Sequence, residues 1–210
     1  LGLQATVKNY FVGLAKREVK SSTVPFKIAQ DPSFDPVKAG WKLVWQDEFD
    51  GEKVDWENTW MESPWREKEY NREMASLRDG KLVIRCDFKH TPGAKREYTG
   101  KTVLLSTRKR FGYGYYEARV RFTKKPGWWA AFWMNDEGRN MSVGGGYELD
   151  IFEDYTTRRG NQKALASNLH VAYGPNRRSY GYQFELPGEG SLDDYYVIGC
   201  KWTPFEFSTY

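Results

Sequence analysis

Thiols and imidazoles are scarce in this chain. Its 210 residues include two cysteines, Cys86 and Cys200, and two histidines. No Cys/His spacing has the pattern of a metal site. Both cysteines fall in apolar, strand-like runs, so buried free thiols are expected rather than a disulfide. No run of 18 apolar residues exists, which argues against a helix crossing a membrane. Internal repeats and low-complexity tracts are absent. The chain opens on Leu1-Gly2-Leu3-Gln4 with no basic segment leading into an apolar core. That start reads as a processed end or a boundary rather than a signal peptide. Gly144-Gly-Gly146 lacks the Lys-Ser/Thr that completes a phosphate loop, and it leads into a strand, not a helix. A flexible rim loop accounts for it.

Charge of one sign is also scarce. The net charge is +4, from 32 basic and 28 acidic residues. Residues 1–40 hold six Lys/Arg and three Asp/Glu, or +3, which leaves 26 and 25, or +1, for the other 170. A nearly neutral body carries no nucleic-acid footprint.

Aromatic residues are abundant instead: nine Trp, fourteen Tyr and twelve Phe. Strands favour aromatics, but Trp and Tyr also make flat, amphipathic contact surfaces. The C–H faces of sugar rings suit such surfaces.

Two textures divide the chain. In residues 1–20, Val7, Tyr10, Phe11 and Leu14 recur at helical spacing. Residues 21–40 carry three prolines and read as a linker, so 1–40 is expected to be an extension of unassigned role. From Trp41 on, short alternating runs are separated by Gly, Asp and Pro. Leu82, Ile84, Cys86 and Phe88 alternate with Val83, Arg85 and Asp87; Tyr116, Ala118, Val120 and Phe122 alternate with Glu117, Arg119 and Arg121. Period two marks half-buried strands. More are expected near 41–49, 102–107, 128–134, 147–153, 164–172, 180–184, 195–202 and 205–210. Many strands with turn punctuation predict an all-β antiparallel sandwich over 41–210.

The run Gly146-Tyr-Glu-Leu-Asp-Ile-Phe-Glu-Asp154 is apolar and strand-like, yet it carries Glu148, Asp150 and Glu153. In a regular strand Glu148 and Asp150 share a face and Glu153 points away. A β-bulge adds one residue and returns Glu153 to that face. The outer pair could then approach to roughly 5–5.5 Å, the separation of retaining glycosidases. Glu148 would be the nucleophile and Glu153 the acid/base, with Asp150 between them sharing a proton. Crowded like charges should push one carboxyl pKa upward. A solvated edge strand is the bland alternative, but Leu149, Ile151 and Phe152 require a buried face.

These residues match the bulged Glu-x-Asp-x-x-Glu motif of glycoside hydrolase family 16, the family of laminarinases, agarases and carrageenases, which the chain resembles over roughly 41–210. Trp41-Lys-Leu-Val-Trp-Gln-Asp-Glu-Phe-Asp-Gly51 is similar to the family's opening strand, and Asp79-Gly-Lys-Leu-Val-Ile84 to its next. Phe111-Gly-Tyr-Gly-Tyr-Tyr-Glu-Ala-Arg-Val120, Trp129-Ala-Ala-Phe-Trp-Met134 and Tyr195-Tyr-Val-Ile-Gly-Cys-Lys-Trp-Thr-Pro204 follow in order. The resemblance implies a jelly-roll β-sandwich of two curved antiparallel sheets with a substrate cleft on the concave face. It implies an endo-acting, retaining enzyme on a β-linked polysaccharide, secreted or periplasmic, with no cofactor; a structural Ca²⁺ is left open. A glycan-binding module and a transglycosylase on the same fold are the rivals. Ala130 after Trp129 and Tyr147 before Glu148 depart from the family's glucanases, so a galactan such as agar, porphyran or carrageenan stays open beside β-1,3-glucan.

The resemblance also implies substrate-binding roles. Trp133 and Trp129, of one strand parity, and Trp128 would line the cleft, although core packing could claim one of them. His170 would lie on the neighbouring strand close to the acid/base, and Asn71 would reach the same cleft. The sequence stops within a strand, at Phe205-Glu-Phe-Ser-Thr-Tyr210. By the family's pattern further strands should follow, so 41–210 is expected to be incomplete. A longer polypeptide, a second chain or a partner copy would supply them. Residues 1–40 could do so too, but their prolines and helical spacing argue against it.

Overall fold

A computed structural model describes residues 2–11, 34–62, 71–94, 98–122, 129–136, 146–154, 164–171, 177–186 and 194–210. Trp128, Gly144, Gly145 and linker residues 21–33 lie outside that set. Fifteen strands are described: β1 Gly2–Phe11, β2 Lys42–Asp47, β3 Trp60–Glu62, β4 Ala75–Leu77, β5 Leu82–Arg85, β6 Asp87–His90, β7 Tyr98–Lys101, β8 Leu105–Thr107, β9 Gly114–Arg121, β10 Ala130–Asn135, β11 Tyr147–Asp154, β12 Ala164–Val171, β13 Arg178–Glu185, β14 Tyr196–Thr203 and β15 Glu206–Thr209. The helical content among the described residues is one 3₁₀ turn, Arg72–Met74.

Seven strands form one antiparallel sheet in the order β15-β14-β9-β1-β5-β4, with β2 also on β1. Four form the facing sheet, β10-β11-β12-β13. Between them lies the core. Tyr116, Ala118, Val120 and Phe122 enter it from the seven-stranded side, and Leu149, Phe152 and Leu165 from the other. Phe122 meets Phe152 edge-to-face at 5.2 Å, and Tyr147 meets Trp202 at 5.3 Å. Each buried side chain of this size stabilises the fold by about 1.5–3 kcal/mol. The fold is a β-sandwich, as the alternating runs predict, and a jelly roll, as the resemblance implies.

The opening segment is fixed by one carboxylate. Asp47 accepts hydrogen bonds from the Phe49 backbone N–H at 2.8 Å and from Trp60 Nε1–H at 2.7 Å. Phe49 takes the left-handed conformation, φ 57°, which is costly for an aromatic residue. It is buried there, stacked on Trp60 at 5.9 Å. Both cysteines are free, Cys200 fully buried and Cys86 half-buried.

Three expectations need correction. The alternating run 82–88 is not one strand: it breaks at Cys86, after which β6 leaves the large sheet and pairs with β7. Residues 2–11 are not helical but form β1, antiparallel to β9 on one side and to β5 and β2 on the other. Register sets Ala5 opposite both Val120 and Leu82, and Val7 opposite Ala118; Val120, Leu82 and Ala118 are core residues. Hydrogen-bonding partners on both edges override weak local helical preference. Residues 1–40 therefore do supply a strand, against the argument from their prolines.

Deleting residues 1–11 would leave the facing edges of β9 and β5 unpaired in mid-sheet. We expect the loss to consume most of a stability that is about 5–15 kcal/mol for a domain, and the exposed edges to aggregate. Thermal unfolding with light scattering reads this. An unchanged melting transition in a monodisperse variant would contradict the assignment of β1.

Candidate active site

The backbone irregularity inferred from the carboxylate spacing is present. Against β12, Glu148 pairs with His170, Asp150 with Asn168 and Glu153 with Ala166, with a register shift between Asp150 and Glu153. Five residue steps on β11 (148 to 153) thus span four on β12 (170 to 166). The same holds against β10, where Asn135, Trp133 and Ala131 face Glu148, Asp150 and Glu153. Since 170, 168 and 166 share a face of β12, so do the three carboxylates.

Packing accounts for the bulge. Ile151 and Phe152 are consecutive and both have no exposed surface, which a regular strand with one solvent-facing side does not allow. The extra residue lets both reach apolar surroundings, and Phe152 lies between Phe122 and Phe132. The displaced Asp150 carbonyl is not orphaned, because the buried Ser167 hydroxyl donates to it at 2.9 Å.

Around the carboxylates the side chains are closely tied. Ligand atoms of Glu148, Asp150 and His170 all lie within 4.8 Å of one another. His170 Nε2 stands 3.2 Å from Asp150 Oδ2, while its Nδ1 meets Ser179 Oγ at 2.7 Å and Arg177 at 3.0 Å. A guanidinium can only donate, so Nδ1 accepts from Arg177, and the remaining ring nitrogen, Nε2, is the one turned toward Asp150. In register His170 lies opposite Glu148.

Glu153 has a different environment. Trp129 Nε1–H donates to its Oε1 at 2.9 Å and Asn168 Nδ2–H to its Oε2 at 2.6 Å. Burial raises its pKa most, the Asp150 charge raises it further, and the two N–H donors pull it back; the result is about 7. Burial likewise raises Asp150, with the Glu148 charge adding and the His170 bond opposing. A carboxyl poised near neutrality can both give and take a proton.

Trp129 is 53% exposed beside Glu153, so its indole keeps a face open to solvent while its N–H is engaged. Trp133, opposite Asp150, is half-buried on the same face. Asn71 instead serves its own turn, where its Oδ1 accepts from Glu73 N–H at 2.8 Å and caps the 3₁₀ segment. None of its hydrogen bonds among the described residues reaches the carboxylates. Asn168 was not among the residues singled out in the sequence; its place beside Glu153 follows from the register of β11 on β12.

The profile of glycosyl hydrolases family 16 matches residues 46–210. The chain belongs to this family. It is 28% identical over 188 residues to a β-glucanase of Rhodothermus marinus, covering 79% of this chain and 61% of the relative. It is 30% identical to a glucan endo-1,3-β-glucosidase of Cryptopygus antarcticus, covering 78% and 64%. The chain thus spans less than two thirds of these relatives' length. The catalytic domain of an endo-1,3-β-glucanase (laminarinase) from Thermotoga petrophila shares the fold, with a TM-score of 0.62 at 24% identity over 81% of this chain and 73% of that one. Within this family 16 chain, residues 2–11 are a strand that lies outside the matched region.

A ¹³C titration of the Glu153 carboxyl should have its midpoint near 7. A midpoint near the ordinary 4.5 would show that burial and Asp150 do not act on it as described.

Proposed function

We propose that this chain is the catalytic part of a retaining endo-glycosidase that hydrolyses a β-1,3-linked glucan. The observation that carries the reading is the bulge, which sets Glu148 and Glu153 on one face with Asp150 between them. In the first step an oxygen of ionised Glu148 bonds to the anomeric carbon as the glycosidic C–O bond breaks. Protonated Glu153 gives its proton to the departing oxygen. In the second step ionised Glu153 takes a proton from water, whose oxygen displaces Glu148 and regenerates both groups. Asp150, beside Glu148 and against His170, holds the nucleophile's orientation. Trp129 and Trp133 supply apolar faces for the sugars flanking the scissile bond. Both displacements use only carboxyl groups and water.

The glucan reading draws on the names of the curated relatives and on the nearly neutral body. A polymeric substrate implies action outside the cell, so we propose that the protein is secreted. Among the described residues no helix is long and apolar enough to cross a membrane.

Glu148→Gln should lower kcat by at least about 10⁴-fold with the fold intact, since it keeps the shape and removes the nucleophile. Glu153→Ala should be nearly inactive on polysaccharide, and azide should partly restore turnover of substrates with good leaving groups. Normal turnover in either variant would end this assignment. For the wild type, kcat/KM should fall as pH rises through about 7, where Glu153 loses the proton it must donate. Product lengths over time on laminarin, mixed-linkage glucan, agarose and carrageenan test the substrate. Early mid-length products from laminarin support the reading, while cleavage confined to a galactan would redirect it.

A further inference from the structure

Glu153 is held by two neighbours, and one of them depends on a residue with no side chain. Asn168 on β12 pairs directly with Gly181 on β13. A Cβ on Gly181 would stand 2.1 Å from Asn168 Oδ1 and 3.1 Å from its Cγ. The Asn168 carboxamide therefore lies in the space that any other residue at 181 would fill. In that position Nδ2 reaches across to Glu153 Oε2 at 2.6 Å. A carboxylate needs a donor there, which fixes which way the amide faces.

We propose that Gly181 and Asn168 act as a positioning pair: the missing side chain at 181 seats the Asn168 amide, and the amide orients Glu153 and favours its ionised form. The inference rests on the proposed role of Glu153 as acid/base. Its chemistry is specific to one half of the cycle. Glu153 begins protonated and becomes ionised when the leaving oxygen takes the proton. A hydrogen bond from a neutral amide to the ionised form is stronger than to the protonated one, so the amide assists the proton's departure. The bulge adds the second requirement, because it alone brings Glu153 into the row of Asn168. Trp129 holds the other carboxyl oxygen, so loss of Asn168 frees one oxygen and leaves the other fixed.

Four variants test this: Asn168→Ala, Asn168→Asp, Gly181→Ala and the double Asn168→Ala/Gly181→Ala. Asn168→Asp keeps the shape and replaces the donor with a second carboxylate. The first readout is the ¹³C titration of Glu153, which needs no activity. Its midpoint should rise by roughly one unit in Asn168→Ala, further in Asn168→Asp, and in the same direction in Gly181→Ala. The second readout is kinetic. Polysaccharide kcat/KM should fall about 10–100-fold, with its basic limb moved up by the same amount as the titration. The glycosylation step on a dinitrophenyl glycoside, whose leaving group needs no acid, should be nearly unchanged. In the double variant Gly181→Ala should add little. What it adds reflects the Ser167 carbonyl, which a Cβ would meet at 2.9 Å.

Altered melting temperatures with an unmoved Glu153 titration in Asn168→Ala and Asn168→Asp would overturn the proposal, leaving the pair a packing feature. Additive effects of the two single changes would overturn the dependence on Gly181. A wild type that is inactive on every glycan, with the titration still shifting, would instead refute the hydrolase reading and leave the Asn168 contact standing.

Discussion

One extra residue in a strand decides what this sheet can do. Side chains alternate along β11, so carboxyls five positions apart would sit on opposite faces of an unbroken strand. The shift between Asp150 and Glu153 cancels that parity. It is held by burial rather than by the carboxylates: Ile151 and Phe152 are both fully enclosed, and the Ser167 hydroxyl takes the carbonyl that the bulge displaces. Moving the bulge by one residue would expose a large apolar side chain or bury a charge, either costing several kcal/mol. The active face is thus imposed by the core beneath it.

The crowding that follows has an electrostatic consequence. Three carboxyls in a row resist joint ionisation. The surroundings divide the burden unevenly. Glu148 and Asp150 share their end of the row with His170, tied in turn to Ser179 and Arg177. Glu153 is held by the neutral donors Trp129 and Asn168, and its pKa rises to about 7. An acid that must also serve as a base is suited by such a value. Two carboxyls of the same chemistry on one strand thereby acquire different environments from their neighbours.

What could be read beforehand followed from alternation. The strands at β9, β11 and β14 were legible because their buried faces are apolar on every second residue, and the bulge because Glu153 breaks that period. β1 was missed although Leu3, Ala5 and Val7 alternate with Gln4, Thr6 and Lys8. The competing stripe of Val7, Tyr10, Phe11 and Leu14 matched a helix, and pairing with β9 and β5 is a nonlocal fact that spacing does not carry. Asn71 has a local role that the resemblance did not imply: an Asn ahead of Arg-Glu reads equally well as a cap, which it is. Asn168 and Gly181 say nothing singly; their meaning arises only when β12 and β13 lie in register.

The central claim is that the bulge makes Glu148 the nucleophile and Glu153 its partner. Trapping the covalent intermediate tests it most directly. A 2-deoxy-2-fluoro-glucosyl donor with a dinitrophenyl leaving group, extended by a β-1,3-linked glucose, should form a stable adduct. Peptide mass mapping should find one added glycosyl group, on Glu148, with the β configuration retained in released product. An adduct on Glu153 or Asp150, or an inverted product with no adduct, would contradict the account.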